Sequence, residues 1–233
     1  MSSARAFDAV LFDLDGTLID TAPDMAGALN DMLVSRGQPE VPFAELRPRV
    51  SHGSRALVER GFGSDDEDLT RARIAEFLAV YAQRVARETQ LFAGMERLLV
   101  ALEERDIAWG IVTNKPGDLS ESLLKAIDLW PRLAAHVAGD TLAERKPHPL
   151  PLLHAARHID VAPERCLYVG DAERDIEAGR AARMTTLAVR YGYILPDDCA
   201  TRWGANHVVD TVDALGRKVL DLIETGSPPH AYH

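Results

Sequence analysis

The sequence predicts an α/β fold: a Rossmann-like doubly wound parallel sheet core with an inserted all-helical cap. Short, almost continuously apolar runs recur along the chain, and longer segments with helically spaced apolar residues separate them. Such runs, without polar alternation, are typical of parallel strands buried on both faces. Strands that alternate with helices build a doubly wound sheet. The expected strands are residues 9–12, 107–112, 166–169 and 186–189.

The cap is predicted from a break in this alternation, because residues 20–88 show no clear strand pattern. Apolar residues instead form two helical stripes. A loop is expected inside this segment at residues 61–66. The predicted domains are a core of residues 1–19 and 89–226, a cap of residues 20–88, and a disordered tail of residues 227–233. The two stripes are Met25, Leu29, Met32 and Leu33, then Ile74, Phe77, Leu78 and Tyr81.

Composition narrows the class of protein and of partner. The 233 residues are 46% hydrophobic and 27% charged, which is typical of a folded soluble protein with a substantial core. A formal net charge of −10 disfavours nucleic acid or an anionic membrane as partner. Two cysteines are too few for a disulfide framework, and no membrane span or signal peptide is expected. These features predict a cytoplasmic protein. A monomer or a homodimer is expected, and composition does not distinguish the two.

Polar and acidic residues follow three of the predicted strands. The first strand ends in Asp-Leu-Asp-Gly-Thr at residues 13–17, and the second ends in Thr113 and Asn114. The third ends in Asp171, with Asp175 four residues further on. Ligands of open parallel sheets bind beyond the carboxyl ends of the strands. We therefore expect these side chains to converge on one crevice.

The residue types predict a metal site beside a phosphate site. Carboxylates crowded together repel each other unless a cation lies among them. Oxygen ligands without His or Cys favour a hard cation, and Mg²⁺ fits best. The Thr113 hydroxyl, the backbone N–H near Asn114 and the Lys146 ammonium would bind a phosphate. A single aspartate at a strand end is more often a cap or turn former, so the joint pattern supports the prediction.

These motifs resemble those of the haloacid dehalogenase-like hydrolase superfamily over essentially the whole chain. Residues 13–17 resemble its first motif, Thr113 and Asn114 the second, Lys146 the third, and residues 170–175 the fourth. The helical segment after the first strand is similar to the small cap of the subgroup that contains phosphoglycolate phosphatases and β-phosphoglucomutase. The resemblance implies an Mg²⁺-dependent phosphatase that acts on a small phosphorylated metabolite through an aspartyl-phosphate.

The resemblance also implies a role for each motif residue. Asp13 would be the nucleophile and a metal ligand. The backbone carbonyl of Asp15 would bind the metal, while its side chain protonates the leaving oxygen and then activates water. Asp171 would bind the metal, and Asp175 would bind it through water or orient Lys146. Three residues would hold the phosphoryl group: Thr113, Asn114 and Lys146.

The same residues bear on other functions within and outside the superfamily. A metal-free dehalogenase has no need for an acid at Asp15, and a phosphonate hydrolase would need a cap lysine, which residues 20–88 lack. A phosphoglucomutase-like phosphotransferase stays open, because its core chemistry would look alike. An inactive regulatory or binding homologue is the alternative from another class.

Substrate selection is expected in the cap. The loop at residues 51–55 offers Arg55 for a second anionic group, with Ser54 and His52 as further contacts. A solvated helix face for Arg55 is an equally compatible interpretation. The overall pattern resembles phosphoglycolate phosphatases. Four stretches look closer to N-acetylmuramic acid 6-phosphate phosphatases: residues 91–95, 109–116, 191–194 and 203–205.

Overall fold

The computed structural model describes residues 5–63 and 66–225. The strands are β1 (Ala9–Phe12), β2 (Ile19–Asp20), β3 (Gln90–Leu91), β4 (Ala108–Val112), β5 (Ala135–Val137), β6 (Cys166–Gly170), β7 (Thr185–Val189) and β8 (His207–Val209). The helices are α1 (Ala22–Val34), α2 (Phe43–Leu46), α3 (Gly53–Phe62), α4 (Glu67–Ala82), α5 (Met95–Glu103), α6 (Gly117–Ala126), α7 (Leu150–His158), α8 (Glu173–Ala181) and α9 (Val212–Thr225). A 3₁₀ helix, Arg47–His52, precedes α3.

Six parallel strands form the core sheet in the order β5-β4-β1-β6-β7-β8. Phe12, the last residue of β1, pairs with Ile111 on one side and Val169 on the other. From β1 the chain first builds outward through β4 and β5, then returns to β6 on the opposite side. The loops after β1, β4 and β6 therefore border the switch point at which such sheets bind ligands. This confirms the predicted fold class.

Both faces of the sheet are covered by helices. Val10 and Phe12 of β1 belong to a core with α5, α6 and α9. Ala9 and Leu11 belong to a second core with α7 and α8. Because successive strand residues point to opposite faces, a strand covered on both sides has no polar face. This explains why the central strands appear in the sequence as unbroken apolar runs.

Two details differ from the sequence-based expectation, and a third cannot be compared. The edge strands β5 and β8 were missed, since each has three residues and includes a half-buried histidine, His136 or His207. The predicted loop at residues 61–66 begins too early, because α3 continues through Phe62 and the chain leaves the helix at Gly63 with φ of 81°. The tail predicted to be disordered lies outside the described residues.

Helices α1 to α4 pack on each other between β2 and β3. The two chain segments that join them to the core pair as an antiparallel ribbon, with Ile19 opposite Leu91. The buried Asp24 Oδ2 accepts hydrogen bonds from the Glu88 N–H (3.0 Å), the Thr89 N–H (3.0 Å) and the Thr89 hydroxyl (2.8 Å). Asp24 thus links the start of α1 to residues 88–89, where the chain returns to the core. The boundaries of the cap at residues 20 and 88 stay a prediction.

Candidate active site

The predicted carboxylates lie together at the carboxyl ends of the central strands. Asp13 follows β1, Asp171 follows β6, and Asp175 lies in the first turn of α8. One carboxylate oxygen from each of the three lies within 4.8 Å of the others. All three are buried, with exposed fractions of 4%, 1% and 0%. The parallel sheet therefore places residues from distant parts of the chain in one cluster.

Lys146 is the buried cation of this cluster. Its Nζ lies 2.8 Å from Asp13 Oδ1 and 2.8 Å from Asp175 Oδ1. It also donates to the Val112 carbonyl (2.8 Å) and the Tyr168 hydroxyl (2.9 Å). Burial would lower the pKa of Lys146, but the charges of Asp13 and Asp175 raise it, so the ammonium stays charged. Lys146 holds two of the carboxylates in a fixed relation to each other.

Thr113 and Asn114 lie beside Lys146 but differ in what their side chains do. The Asn114 side chain accepts the Lys146 N–H (3.1 Å) and donates to the Lys146 carbonyl (2.9 Å). Its side-chain amide therefore fixes the loop that carries Lys146, and only its backbone N–H remains to bind a phosphate. The Thr113 hydroxyl oxygen accepts the Lys115 N–H (3.1 Å), which leaves the O–H free to donate.

Asp171 is held from the core and from the cap. Its Oδ2 accepts the Ser51 hydroxyl (2.7 Å) and the Tyr193 N–H (2.8 Å). Its Oδ1 accepts the Thr17 hydroxyl at 3.3 Å. Gly16 has φ of 85°, and a Cβ there would lie 2.2 Å from Asp171 Oδ2. Only glycine fits at this position, which explains the glycine that follows the two aspartates of the first motif.

Asp15 occupies the wall of the cleft, with a side chain that is 16% exposed. Its Oδ1 accepts two hydrogen bonds, from the Thr21 hydroxyl (2.6 Å) and from Lys115 Nζ (3.0 Å). Within residues 5–63 and 66–225, no hydrogen bond reaches Oδ2. The carboxylate is thus fixed through one oxygen, and the other is available for proton transfer.

The electrostatics of the cluster favour a bound cation. Burial and the charge of Asp175 raise the pKa of Asp13 to about 6, although Lys146 opposes the shift. Burial, together with Asp13 and Asp175, raises the pKa of Asp171 to about 7. The carboxylates therefore carry more negative charge than their surroundings neutralise. A buried donor set made only of carboxylate oxygens is one that Mg²⁺ fits.

The cluster opens into a cleft of about 610 Å³ that the cap loop helps to line. His52, Ser54 and Arg55 all line this cleft. Burial lowers the pKa of His52, so its imidazole is neutral at pH 7. The Arg55 guanidinium pairs with Glu59 (3.2 Å) and Glu67 (2.6 Å), and its side chain is 48% exposed. Whether these three residues select substrate stays a prediction.

Two cationic residues of the site were missed in the sequence. Lys115 directly follows the second motif, and its ammonium contacts Asp15. Arg174 lies inside the fourth motif, lines the cleft, and donates a hydrogen bond to the Ser51 carbonyl of the cap. Each is adjacent to a residue that was predicted. That adjacency is the signal that could have identified them, but it does not tell which way a side chain points.

Comparison with known proteins agrees with this geometry. The family model described as haloacid dehalogenase-like hydrolase matches residues 10–189. The chain belongs to the haloacid dehalogenase-like hydrolase family. A crystal structure from Haemophilus somnus 129pt, described as a predicted phosphoglycolate phosphatase, has the same fold. It superimposes with a TM-score of 0.80 at 24% identity and covers 93% of this chain and 98% of that one.

Two curated relatives resemble the chain over nearly its whole length. It is 50% identical over 202 residues to the phosphoglycolate phosphatase of Xanthomonas campestris pv. campestris (strain 8004), covering 87% of this chain and 91% of the relative. It is 44% identical over 214 residues to the N-acetylmuramic acid 6-phosphate phosphatase of Pseudomonas putida, covering 91% and 96%. These relatives confirm the predicted family and enzyme class, a phosphoric monoester hydrolase. None of the described helices is both long and apolar enough to span a bilayer.

Proposed function

We propose that this hydrolase is an Mg²⁺-dependent phosphatase that cleaves the phosphomonoester of a small metabolite through an aspartyl-phosphate on Asp13. The observation that carries the proposal is the surroundings of Asp13. One of its oxygens is held by Lys146 Nζ at 2.8 Å and by the Leu14 N–H at 2.7 Å. Among the described residues no hydrogen bond reaches the other oxygen, Oδ2. A carboxylate fixed through one oxygen presents the second as a nucleophile.

The metal would be held by Asp13, Asp171 and the backbone carbonyl of Asp15. Asp175 would act through water or through Lys146, because its oxygens already accept Lys146 Nζ (2.8 Å) and the Ala172 N–H (3.1 Å). When bound, Mg²⁺ would supply positive charge to the phosphoryl oxygens. The raised pKa values of Asp13 and Asp171 support this assignment, since a cation relieves the repulsion that causes them.

The residues of the chain account for the remaining chemistry. Lys146, the Thr113 hydroxyl and the Asn114 N–H would hold the phosphoryl group. Asp13 Oδ2 forms a bond to phosphorus as the bond to the leaving oxygen breaks, and Asp15 gives that oxygen its proton. The Asp15 carboxylate then takes a proton from water, which attacks phosphorus. The aspartyl bond breaks, phosphate is released, and both aspartates return to their starting states.

Two substrates are candidates, 2-phosphoglycolate and N-acetylmuramic acid 6-phosphate. The relatives named for them support both, and both compounds carry a carboxylate besides the phosphate. A cleft of about 610 Å³ has room for either. A cytoplasmic location and a monomeric or homodimeric state stay predictions.

Phosphate release from the two compounds, measured side by side with Mg²⁺ and with EDTA, tests the proposal. Asp13→Asn should reduce Mg²⁺-dependent release by about 1000-fold or more, because it removes the nucleophile. Asp68→Asn, at a side chain that is 92% exposed, is the matched control and should leave release unchanged. Acid-quenched wild-type protein should carry a phosphoryl group on the peptide that contains Asp13.

Four outcomes would contradict the proposal. Phosphate release that persists in EDTA would show that the reaction does not need Mg²⁺. Wild-type turnover by Asp13→Asn would show that Asp13 is not the nucleophile. Transfer of the phosphoryl group to a sugar hydroxyl in place of water would favour the phosphotransferase alternative. A wild-type protein that releases phosphate from neither compound, and binds no Mg²⁺, would favour an inactive homologue.

A further inference from the structure

Lys115 is a buried cation whose hydrogen-bonding capacity is only partly used. Its side chain is 4% exposed, and it lines the active-site cleft. Nζ lies 3.0 Å from Asp15 Oδ1, 4.0 Å from Met25 Sδ, and 4.4 Å from the centre of the Tyr81 ring. An ammonium has three N–H donors, and Asp15 is the one strong acceptor among these partners. A buried lysine in this state is prepared to receive a second anionic group.

Tyr81 provides a second, independent observation at the same place. It extends from α4 of the cap, its exposed fraction is 0%, and it lines the same cleft. Among the described residues no hydrogen-bond partner lies within 3.5 Å of its buried hydroxyl, although the Lys115 ammonium is near enough to interact with the hydroxyl oxygen, which leaves the O–H proton without an acceptor. Burial raises the pKa of Tyr81, so the phenol keeps its proton and remains a donor. An unpaired buried hydroxyl costs free energy that a ligand acceptor would recover.

The Lys115 ammonium and the Tyr81 hydroxyl lie on the leaving-group side of the site. The phosphoryl side is formed by Lys146 and Thr113, whereas Lys115 contacts Asp15, the residue proposed to protonate the leaving oxygen. An anionic group one carbon away from that oxygen would therefore meet Lys115. Arg55 is a weaker candidate for this group, because it is half-exposed and already pairs with two glutamates.

We infer, on the basis of the proposed function, that Lys115 and Tyr81 bind the carboxylate of the leaving group and so select short phosphorylated 2-hydroxy acids. One carboxylate oxygen accepts from the ammonium and the other from the phenol. In 2-phosphoglycolate a single methylene separates the ester oxygen from the carboxylate. In N-acetylmuramic acid 6-phosphate much of the sugar lies between them. Of the two candidate substrates, this pair of residues fits 2-phosphoglycolate.

The test compares 2-phosphoglycolate with ethyl phosphate, in which a methyl group replaces the carboxylate. Wild-type kcat/KM should favour 2-phosphoglycolate by about 100-fold or more. Because Lys115 also contacts Asp15, Lys115→Met should slow both esters, but kcat/KM for 2-phosphoglycolate should fall by about 100-fold more than kcat/KM for ethyl phosphate, as expected for a lost hydrogen bond between charged groups. Tyr81→Phe, which keeps the ring, should lower it by about 10-fold for 2-phosphoglycolate alone. Lys125→Met, at an exposed lysine, should change neither.

Each other outcome has a distinct meaning. If Lys115→Met lowers kcat for both esters equally, Lys115 acts by holding Asp15, and the inference is wrong. If the wild type shows no preference for the ester with a carboxylate, or prefers N-acetylmuramic acid 6-phosphate, the inference is also wrong while the proposed chemistry stands. Tyr81→Phe decides the matter if Lys115→Met does not fold. If the wild type releases no phosphate from any of these esters in Mg²⁺, the proposed function is refuted instead.

Discussion

Replacing Lys146 by methionine should destabilise the metal-free protein by about 3–5 kcal/mol at pH 7.5, the usual cost of removing one partner from a buried ion pair. The ammonium is 1% exposed and lies 2.8 Å from each of two buried carboxylates, Asp13 and Asp175. Methionine fills the volume of the lysine stem but supplies no charge. The two carboxylates would then face each other without a cation between them.

The loss should depend on pH. In the wild type, burial and Asp175 raise the pKa of Asp13 to about 6, and Lys146 opposes this shift. Without Lys146 the pKa of Asp13 rises further above its unfolded value. The folded variant then binds more protons than the unfolded chain, so its stability falls as pH rises towards the folded pKa. Below about pH 6 the wild-type Asp13 is protonated as well, so the deficit changes only over about 1.5 pH units, from pH 6 to 7.5. At about 1.4 kcal/mol per pH unit and proton, the deficit of the variant should be about 2 kcal/mol smaller at pH 5.5 than at pH 7.5.

Urea unfolding in EDTA, followed by circular dichroism at both pH values, measures this deficit. Lys125→Met is the matched control and should lie within about 0.5 kcal/mol of the wild type, since that lysine is exposed. A Lys146→Met deficit below about 1 kcal/mol at pH 7.5, or one that is the same at both pH values, would refute the electrostatic account of the cluster.

Three further predictions concern the framework of the site. Asp24→Ala should lower the free energy of unfolding, measured by urea titration, by about 3 kcal/mol, because three hydrogen bonds to a buried carboxylate are lost. A decrease of less than about 1 kcal/mol would contradict this account. Gly16→Ala should abolish Mg²⁺ binding measured by calorimetry, since a Cβ at residue 16 lies 2.2 Å from Asp171 Oδ2. A Gly16→Ala variant that binds Mg²⁺ with wild-type affinity would show that this contact relaxes. Iodoacetamide at pH 8 should alkylate Cys199 alone, because Cys166 is buried and burial raises its pKa to about 12. Two carbamidomethyl groups on the protein by mass spectrometry would show that the core opens enough to expose Cys166.

The residues that follow β1, β4 and β6 could be located from the sequence because the reasoning needs only local pattern and one general rule. Continuous apolar runs identify buried parallel strands, and parallel strands end at the same edge of the sheet. Asp13 and Asp171 follow from that rule, and they lie together. Lys146 is predicted differently, from its proline-flanked loop, and its Nζ lies 2.8 Å from Asp13 Oδ1. The edge strands β5 and β8 could not be predicted, because a three-residue strand with a half-buried histidine has no distinctive apolar run.

The sequence by itself determined the fold class, the family and the members of the acidic cluster. Tertiary structure alone decided how side chains from different segments meet. It turned the Asn114 amide onto the Lys146 backbone, paired Arg55 with two glutamates, and brought Lys115 of the core against Tyr81 of the cap. Periodicity and motif spacing report the environment along one strand or helix. Contacts between residues distant in sequence depend on how the cap packs on the sheet, which no local pattern encodes.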